Sequence, residues 1–206
     1  MNSVFGENGF VYRIINKLVD LLVLNVVYIL TCIPIFTIGA ANTALYCVTL
    51  KMSKNEEGYI VKQYWKALKS NFKKSTIIWL FFLMIFIVLG LDFNLISGDY
   101  FEMKEIMFAI TCAVFILVMI PFSYIAPQIA VFENTVNNYL KNAVIISMTR
   151  IGYTIPIVCL NFIPFILLFL GGEWLEVGSR VMIMIGCSAI AYMNSFLFHK
   201  VFLRYM

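Results

Sequence analysis

Residues 64–91, YWKALKSNFKKSTIIWLFFLMIFIVLGL, join a basic, aromatic segment to a long apolar run. The apolar part continues over residues 76–97, which is long enough to cross the hydrocarbon core of a bilayer as a helix of about 20 residues. Hydrophobic residues make up 62% of the 206-residue chain and charged residues 13%, whereas ordinary globular chains are about half apolar and about a quarter charged. The sequence therefore predicts an all-α integral membrane protein.

Five apolar runs of roughly 18 or more residues follow one another along the chain. They predict a bundle of five transmembrane helices in a single membrane domain, residues 1–206, with spans at 18–38, 76–97, 106–131, 151–170 and 181–198. Arg13 and Lys17 precede the first run, but that run is longer than the usual core of a signal peptide, so we expect it to remain as a span. Two arrangements of residues 34–50 stay open, namely one continuous helix and a broken or re-entrant pair, because Pro34 and Gly39 could divide the helix into two pieces.

The loop after the first span predicts the orientation. It carries seven lysines against two glutamates between residues 51 and 74, and such an excess marks cytoplasmic loops. Alternation across five spans then places the N-terminus outside and the C-terminus in the cytoplasm, with eleven of the fifteen Lys and Arg residues on the cytoplasmic side. If the second piece of residues 34–50 re-enters the membrane, the N-terminus is cytoplasmic instead.

The basic segment itself predicts a cytoplasmic amphipathic helix over residues 59–75. At 100° per residue, its aromatic and aliphatic residues form one stripe and its lysines an adjoining face. The stripe could lie at the headgroup boundary of the anionic leaflet, or it could dock to a partner with Tyr64 and Trp65 as anchors. Nucleic-acid binding is disfavoured, because the segment has no arginines and no recognised module. The candidate contact residues are Tyr64, Trp65, Leu68, Phe72, Lys66, Lys69 and Lys73.

Residues inside the apolar runs predict how the helices bend and pack. Proline removes a backbone donor and kinks a helix, small residues let helix backbones approach closely in lipid, and amides at membrane depth need partners within the bundle. The candidate packing and kink residues are Asn25, Pro34, Thr37, Gly39, Ala44, Pro121, Pro127 and Asn161.

The sequence also lacks the residues that several chemistries require. No Glu, Lys or Arg occupies a predicted midplane, which disfavours autonomous ion-coupled transport. The single histidine, His199, lies at the inner end of the last predicted span, a position that argues against a histidine-based triad. One histidine also excludes a multi-histidine metal site and an HExxH motif. The five cysteines lie in or beside apolar helices without paired short spacing, as small buried hydrophobes do. We predict a protein that is not an enzyme and that holds no metal and no cofactor.

Three stretches carry a resemblance to a known family: LNVVYILTCIPIFTIGAANTAL (24–45), YWKALKSNFKKS (64–75) and PQIAVFENTVNNYLKNAVIISM (127–148). In this order they resemble the YesL family, small multi-span membrane proteins of Gram-positive bacteria that are catalogued as a domain of unknown function. Ala40 stands where the family usually has proline. The positions that match include Asn25, Pro34, Thr37, Gly39, Ala44, Trp65, Asn71, Phe72, Lys141, Asn142 and Ala143, and the third stretch adds a cytoplasmic turn with Glu133, Asn134, Lys141 and Asn142.

The resemblance implies a multi-pass protein of the bacterial cell membrane whose relatives are encoded near glycan-degradation genes and carbohydrate ABC importers. It implies no catalytic residue. The resulting hypothesis is an accessory subunit bound to the permease subunits of an oligosaccharide ABC importer, and through them to its ATPase and its solute-binding protein. Two alternatives stay open, namely a membrane sensor or regulator of glycan utilisation and an autonomous carrier or channel.

Overall fold

The computed structural model describes residues 10–56, 58–97, 104–170 and 172–205, which fold as a bundle of helices. A shorter and more deeply buried second helix joins the first helix to the third. After a long fourth helix, the chain continues through a bent pair of helices and ends with two more. The α-helices are α1 (Phe10–Cys32), α2 (Ile38–Ser53), α3 (Ile60–Ser97), α4 (Lys104–Val131), α5 (Val136–Thr149), α6 (Ile151–Leu170), α7 (Gly172–Val181) and α8 (Cys187–Phe202).

The segment that the sequence left open, residues 34–50, forms a helix of its own. α1 ends at Cys32, a short 3-10 turn covers Ile35–Thr37, and α2 runs back beside α1. Pro34 stands at the break with an extended backbone, and the Trp79 indole N–H donates to the Ile35 carbonyl across it at 2.8 Å. The predicted first span, 18–38, therefore ends earlier, because proline and the turn stop the helix.

α2 and α3 approach each other closely along the small residues of α2. Ala40, Ala41 and Ala44 are fully buried, and a Cβ added to Gly39 would lie 2.3 Å from the Trp79 Cβ. One turn further on, the Ser75 hydroxyl donates to the Thr43 hydroxyl at 2.9 Å. Small side chains permit this distance between helix backbones in lipid.

The predicted cytoplasmic helix (59–75) and the predicted span (76–97) are one continuous helix. α3 has 38 residues, which at 1.5 Å per residue gives about 57 Å. This length exceeds the hydrocarbon core, which is about 30 Å thick. The basic segment is thus the first half of a long helix that packs against α2, and not a separate helix on the membrane surface.

The return path contains two irregular points. α5 and α6 are bent by 109° at the break between Thr149 and Ile151, and the Thr154 hydroxyl holds the bend by donating to the Ser147 carbonyl at 2.7 Å. Between α7 and α8 the helix widens into a π turn over Met182–Gly186. Such turns leave backbone groups without their usual helical partners.

The helices that are long and apolar enough to cross a membrane differ from the predicted set. They include the separate segment Ile35–Ser53, whereas α6 qualifies only as part of the bent pair with α5. The described part of the chain thus has five such helices, or six if the bent pair is one span: Ile14–Cys32, Ile35–Ser53, Ile60–Ile96, Lys104–Val131 and Glu176–Phe202, with Val136–Thr149 and Ile151–Pro164 as the bent pair.

Contacts between sequence-distant residues bring several helix ends together at one end of the bundle. The Lys17 ammonium of α1 donates to the Asn55 side chain after α2 at 2.6 Å and to the Tyr192 hydroxyl of α8 at 3.4 Å. At the close of α8, the Phe202 ring packs on Phe132. The start of α1, the loop between α2 and α3, the turn after α4 and the end of α8 therefore lie on the same side.

Candidate functional site

The predicted contact residues lie on the first turns of α3, and the bundle divides them between two sides. Tyr64 is 0% exposed and Leu68 8% exposed, and the Tyr64 hydroxyl hydrogen-bonds the Thr31 hydroxyl of α1. These two side chains belong to the core. The prediction of Tyr64 as an anchor for a partner is therefore replaced by a role in holding α3 against α1.

The other five predicted contact residues face outward. Trp65 is 45% exposed and Phe72 37%, and the lysines between and after them are exposed. Positions 65, 69 and 72 follow the spacing of one helix face, and positions 66 and 73 flank it. We call the surface formed by Trp65, Lys66, Lys69, Phe72 and Lys73 the α3 basic face.

Asn25, which the sequence places at membrane depth, is fully buried and serves the π turn. Its side-chain N–H donates to the carbonyls of Met182 at 3.2 Å and Ile183 at 2.7 Å. Its side-chain oxygen accepts the backbone N–H of Ser188 at 2.9 Å. One amide thus supplies partners for three backbone groups at the irregular turn, and it ties α1 to α8.

The residues around the break between α1 and α2 form a compact hydrogen-bonded unit. The Thr37 hydroxyl lies 2.6 Å from the Pro34 carbonyl, to which it donates, and it also contacts the Thr31 carbonyl. Gly39 then packs against α3, where an added Cβ would meet Trp79 and Ser75, and Ala44 is fully buried. The candidate kink and packing residues of this stretch are thus brought together in space.

The remaining candidates of this kind lie in α4 and α6. Pro121 and Pro127 are both inside α4, and Pro127 is buried. Asn161 accepts a hydrogen bond from the Asn194 side chain of α8 at 2.9 Å. The amide pair joins α6 to α8, while the prolines leave α4 continuous over Lys104–Val131.

The predicted cytoplasmic turn is exposed and is held by a residue that sequence reasoning missed. Glu133 and Lys141 are exposed, and Asn134 and Asn142 are half-buried. The buried Tyr139 donates to the Phe132 carbonyl at 2.6 Å and accepts the Asn134 backbone N–H at 3.0 Å. In the sequence, the role of Tyr139 is indicated only by its distance from the preceding turn, and this spacing is not a recognised motif.

A cavity of about 520 Å³ lies in the middle of the bundle, a second feature that the sequence did not indicate. Residues of α1, α2, α3, α4, α6 and α8 line it, and most of its wall is aromatic or aliphatic. The rings that face it include Trp79, Phe86, Phe115 and Phe122. None of the described residues that line it is an Asp, Glu, Lys, Arg or His.

Within the described ranges, no cluster of three or more His, Cys, Asp or Glu side chains could hold a metal ion. The five cysteines are free thiols; Cys159 is exposed and the other four are half-buried, so none is fully buried as expected. Asp99 and Glu102, in the acidic segment after α3, lie outside the described residues.

Comparisons with known proteins point to the first three helices. Residues 21–93 match the model of a family described as a protein of unknown function, DUF624. The chain is also 26% identical over 135 residues to the uncharacterized protein YteU of Bacillus subtilis (strain 168), a match that covers 65% of this chain and 60% of that relative. No solved structure matches the chain. The chain is thus similar to the DUF624 family from the middle of α1 almost to the end of α3.

Proposed function

We propose that this protein is a non-catalytic accessory subunit that binds the transmembrane domains of a carbohydrate ABC importer in a bacterial cell membrane. The observation that carries the proposal is the α3 basic face, which presents Trp65 and Phe72 outward with lysines around them. Exposed aromatic residues with a charged rim are typical of protein docking sites. The resemblance to the YesL family supplies the importer as the partner.

The comparisons bear on the family of this chain and not on the importer. The DUF624 match, residues 21–93, contains most of the positions on which the YesL resemblance depends, from Asn25 through Gly39 to Phe72. We propose the YesL family as the finer identity of this chain on that ground. The relative YteU is itself uncharacterized, so the choice of an importer as the partner is based on the resemblance to the YesL family alone.

The helix that carries the α3 basic face packs against the bundle along its other side, which suits a docking surface. On that side, Tyr64 and Leu68 are buried in the core, and the Asn71 side chain donates to the Cys47 sulfur of α2 at 3.9 Å. A helix fixed along one side loses little conformational entropy when a partner covers the other side. Docking would then cost less than it would on a flexible loop.

We further propose that this end of the bundle faces the cytoplasm. The loop between α2 and α3 carries the lysine excess that marks cytoplasmic segments, and the start of α1 lies beside it through the contact of Lys17 with Asn55. With Arg13 and Lys17 added to the eleven residues counted for five spans, thirteen of the fifteen Lys and Arg residues lie on one side. The charge distribution therefore favours a cytoplasmic N-terminus over an external one.

Affinity capture from native membranes tests the accessory-subunit proposal. A tagged chain, extracted in mild detergent, is expected to retain permease and ATPase subunits in a fixed ratio. Replacement of Trp65 and Phe72 together by alanine should lower that recovery at least several-fold, because buried aromatic anchors carry most of the binding free energy at interfaces. Changing Lys66, Lys69 and Lys73 to glutamine should alter membrane contact or orientation more than capture.

The matched control replaces two exposed apolar residues in the second half of the same helix. Met84 and Leu91 are 63% and 59% exposed, and their change to alanine should leave recovery of the partner unchanged. Recovery of the chain as a lone species after gentle extraction would refute the proposal. Equal loss from the control pair would show that lipid contact, and not the α3 basic face, holds the complex.

A deletion separates the accessory subunit from a sensor. Loss of this chain is expected to reduce uptake of the sugar while the importer subunits remain in the membrane. Normal uptake with altered expression of glycan-degradation enzymes would favour the sensor. Solute flux in liposomes from the purified chain alone would favour a carrier.

A further inference from the structure

The central cavity is half-open, and the accessory role gives it no use. Its volume of about 520 Å³ lies within the range of small-molecule sites, about 300–1,000 Å³. It is lined by six helices, so any occupant would touch most of the bundle. Its wall includes Gly39 and Trp79, at the contact between α2 and α3, and also Asn161 of α6 and Ala191 of α8.

Two side-chain amides supply hydrogen-bond donors at the cavity wall. Asn42 accepts the Tyr28 hydroxyl on its side-chain oxygen at 3.1 Å, and Asn161 accepts the Asn194 amide in the same way at 2.9 Å. Since both oxygens are engaged, the Nδ2 groups of Asn42 and Asn161 remain as donors, and neither has a hydrogen-bond partner among the described residues. Behind them, the buried side-chain oxygen of Asn194 also has no partner within the described part of the chain.

An apolar space of this size is not expected to stay empty. Protein interiors are close-packed, and the atoms around a void lose their dispersion contacts. Water would fill it poorly, because a buried water needs two to four polar partners and the wall is mostly rings and aliphatic side chains. The occupant that satisfies both conditions is mainly apolar and carries a small number of acceptor oxygens.

We propose that the central cavity binds an uncharged lipid, namely a neutral acylglycerol whose chain packs on Trp79, Phe115 and Phe122 and whose ester or hydroxyl oxygens accept from Asn42 and Asn161. The described residues of the wall include no Lys, Arg or His that could pair with a carboxylate, which selects against fatty-acid anions, because an unpaired buried charge is expensive. The surrounding bilayer supplies such molecules to a membrane protein. The proposal does not depend on the importer, since the site lies wholly within this chain.

Fluorescence of Trp79 tests the proposal on the full chain in phosphatidylcholine nanodiscs. Trp65 and Trp174 are changed to phenylalanine so that Trp79 is the remaining tryptophan. The probe is a monoacylglycerol with a brominated chain, and we expect its quenching to saturate as its mole fraction rises. The brominated fatty acid of the same chain length, measured at pH 9, should quench without saturation.

Two variants connect the signal to the cavity. Ala126→Phe places a ring in the cavity, of which Ala126 forms part of the wall, and should abolish the saturable component. Asn42→Leu should raise the half-saturating mole fraction about 2- to 10-fold, as expected for one hydrogen bond. Quenching that rises linearly with the probe, or equal half-saturation for the acylglycerol and the fatty-acid anion, would overturn the proposal without any need for the variants to fold.

Discussion

Asn25 illustrates how a single polar residue compensates an irregular helix inside a membrane. In a bilayer, backbone groups freed by a π turn find no water, and the Asn25 amide supplies partners for Met182, Ile183 and Ser188. The Ser188 hydroxyl in turn donates to the Leu21 carbonyl at 2.8 Å. The register between α1 and α8 is therefore set by hydrogen bonds as well as by packing.

Replacement of Asn25 by leucine should destabilise the fold. The change removes three hydrogen bonds, and since each is worth about 0.6 kcal/mol on average in a membrane protein, the expected loss is about 2 kcal/mol in the free energy of unfolding. Reversible unfolding in mixed detergent micelles measures it. The neighbouring Val26, which is 53% exposed, provides the control, and Val26→Leu should be close to neutral. A loss no larger than that of the control would contradict the assigned role of Asn25.

At the same scale, the sequence predicted that the amide of Asn25 needs a partner, but not which one. The partner is a stretch of backbone more than 150 residues away in the sequence, and no pattern of side chains indicates it. Tyr64 shows the converse. Its position in the aromatic stripe was correctly identified, but the stripe includes both buried Tyr64 and exposed Trp65, because apolar residues suit both the interior and the lipid or partner surface.

At the scale of elements, the α2–α3 seam depends on one glycine. A Cβ at Gly39 would lie 2.3 Å from the Trp79 Cβ and 2.7 Å from the Ser75 carbonyl oxygen. Both atoms belong to, or adjoin, the α3 backbone, so they cannot rotate away. Accommodation of a larger residue requires the two helices to separate, which would also strain the bond between the Trp79 indole and Ile35.

Gly39→Ala should therefore cost about 1–3 kcal/mol in the free energy of unfolding, as overpacking does. The chain offers a matched control in α3, because a Cβ at Gly90 would meet nothing within 4 Å. Gly90→Ala should stabilise the protein by about 0.5–1 kcal/mol, since alanine is the better helix former. Unfolding of both variants in the same detergent distinguishes them. A similar change in both would mean that helix propensity, and not the close approach, controls this seam.

The prediction of small-residue packing within GAANTA came from composition alone, and the buried side chains of α2 agree with it. The continuity of α3 could not be obtained in the same way. Periodicity identifies an amphipathic stretch and an apolar stretch, but nothing in the sequence between Lys73 and Ile77 marks whether the helix bends or continues there. The contact of Ser75 with Thr43 holds this junction against α2.

At the scale of the whole molecule, the all-α membrane class followed from composition, whereas the path of the chain did not. In the 18-residue apolar stretch of Ile35–Ser53, 56% of the residues are buried inside the protein, against 17% in the corresponding stretch of Lys104–Val131. A helix surrounded by other helices carries small and polar residues that make hydrogen bonds to its neighbours. Such a segment is the least apolar of the five helices that could span a membrane, so a hydrophobicity scan detects it less readily than a helix that faces lipid. The cavity was missed for a related reason, since its wall is assembled from six distant helices.

The extra pass determines the last prediction, that both ends of the chain are cytoplasmic. α1 and α2 are antiparallel, and Lys17 reaches Asn55, so the start of α1 must be on the side of the basic loop. Single cysteines in a cysteine-free background, at Ser3, Glu56 and Ser97, can be labelled in intact cells with a membrane-impermeant maleimide. Only Ser97→Cys should react before the cells are opened, and all three should react afterwards. Reaction of Ser3→Cys from outside, with Glu56→Cys protected, would place the N-terminus outside. Residues 3 and 56 would then lie on opposite sides of the membrane, which two passes cannot achieve, so the α1–α2 hairpin would have to open.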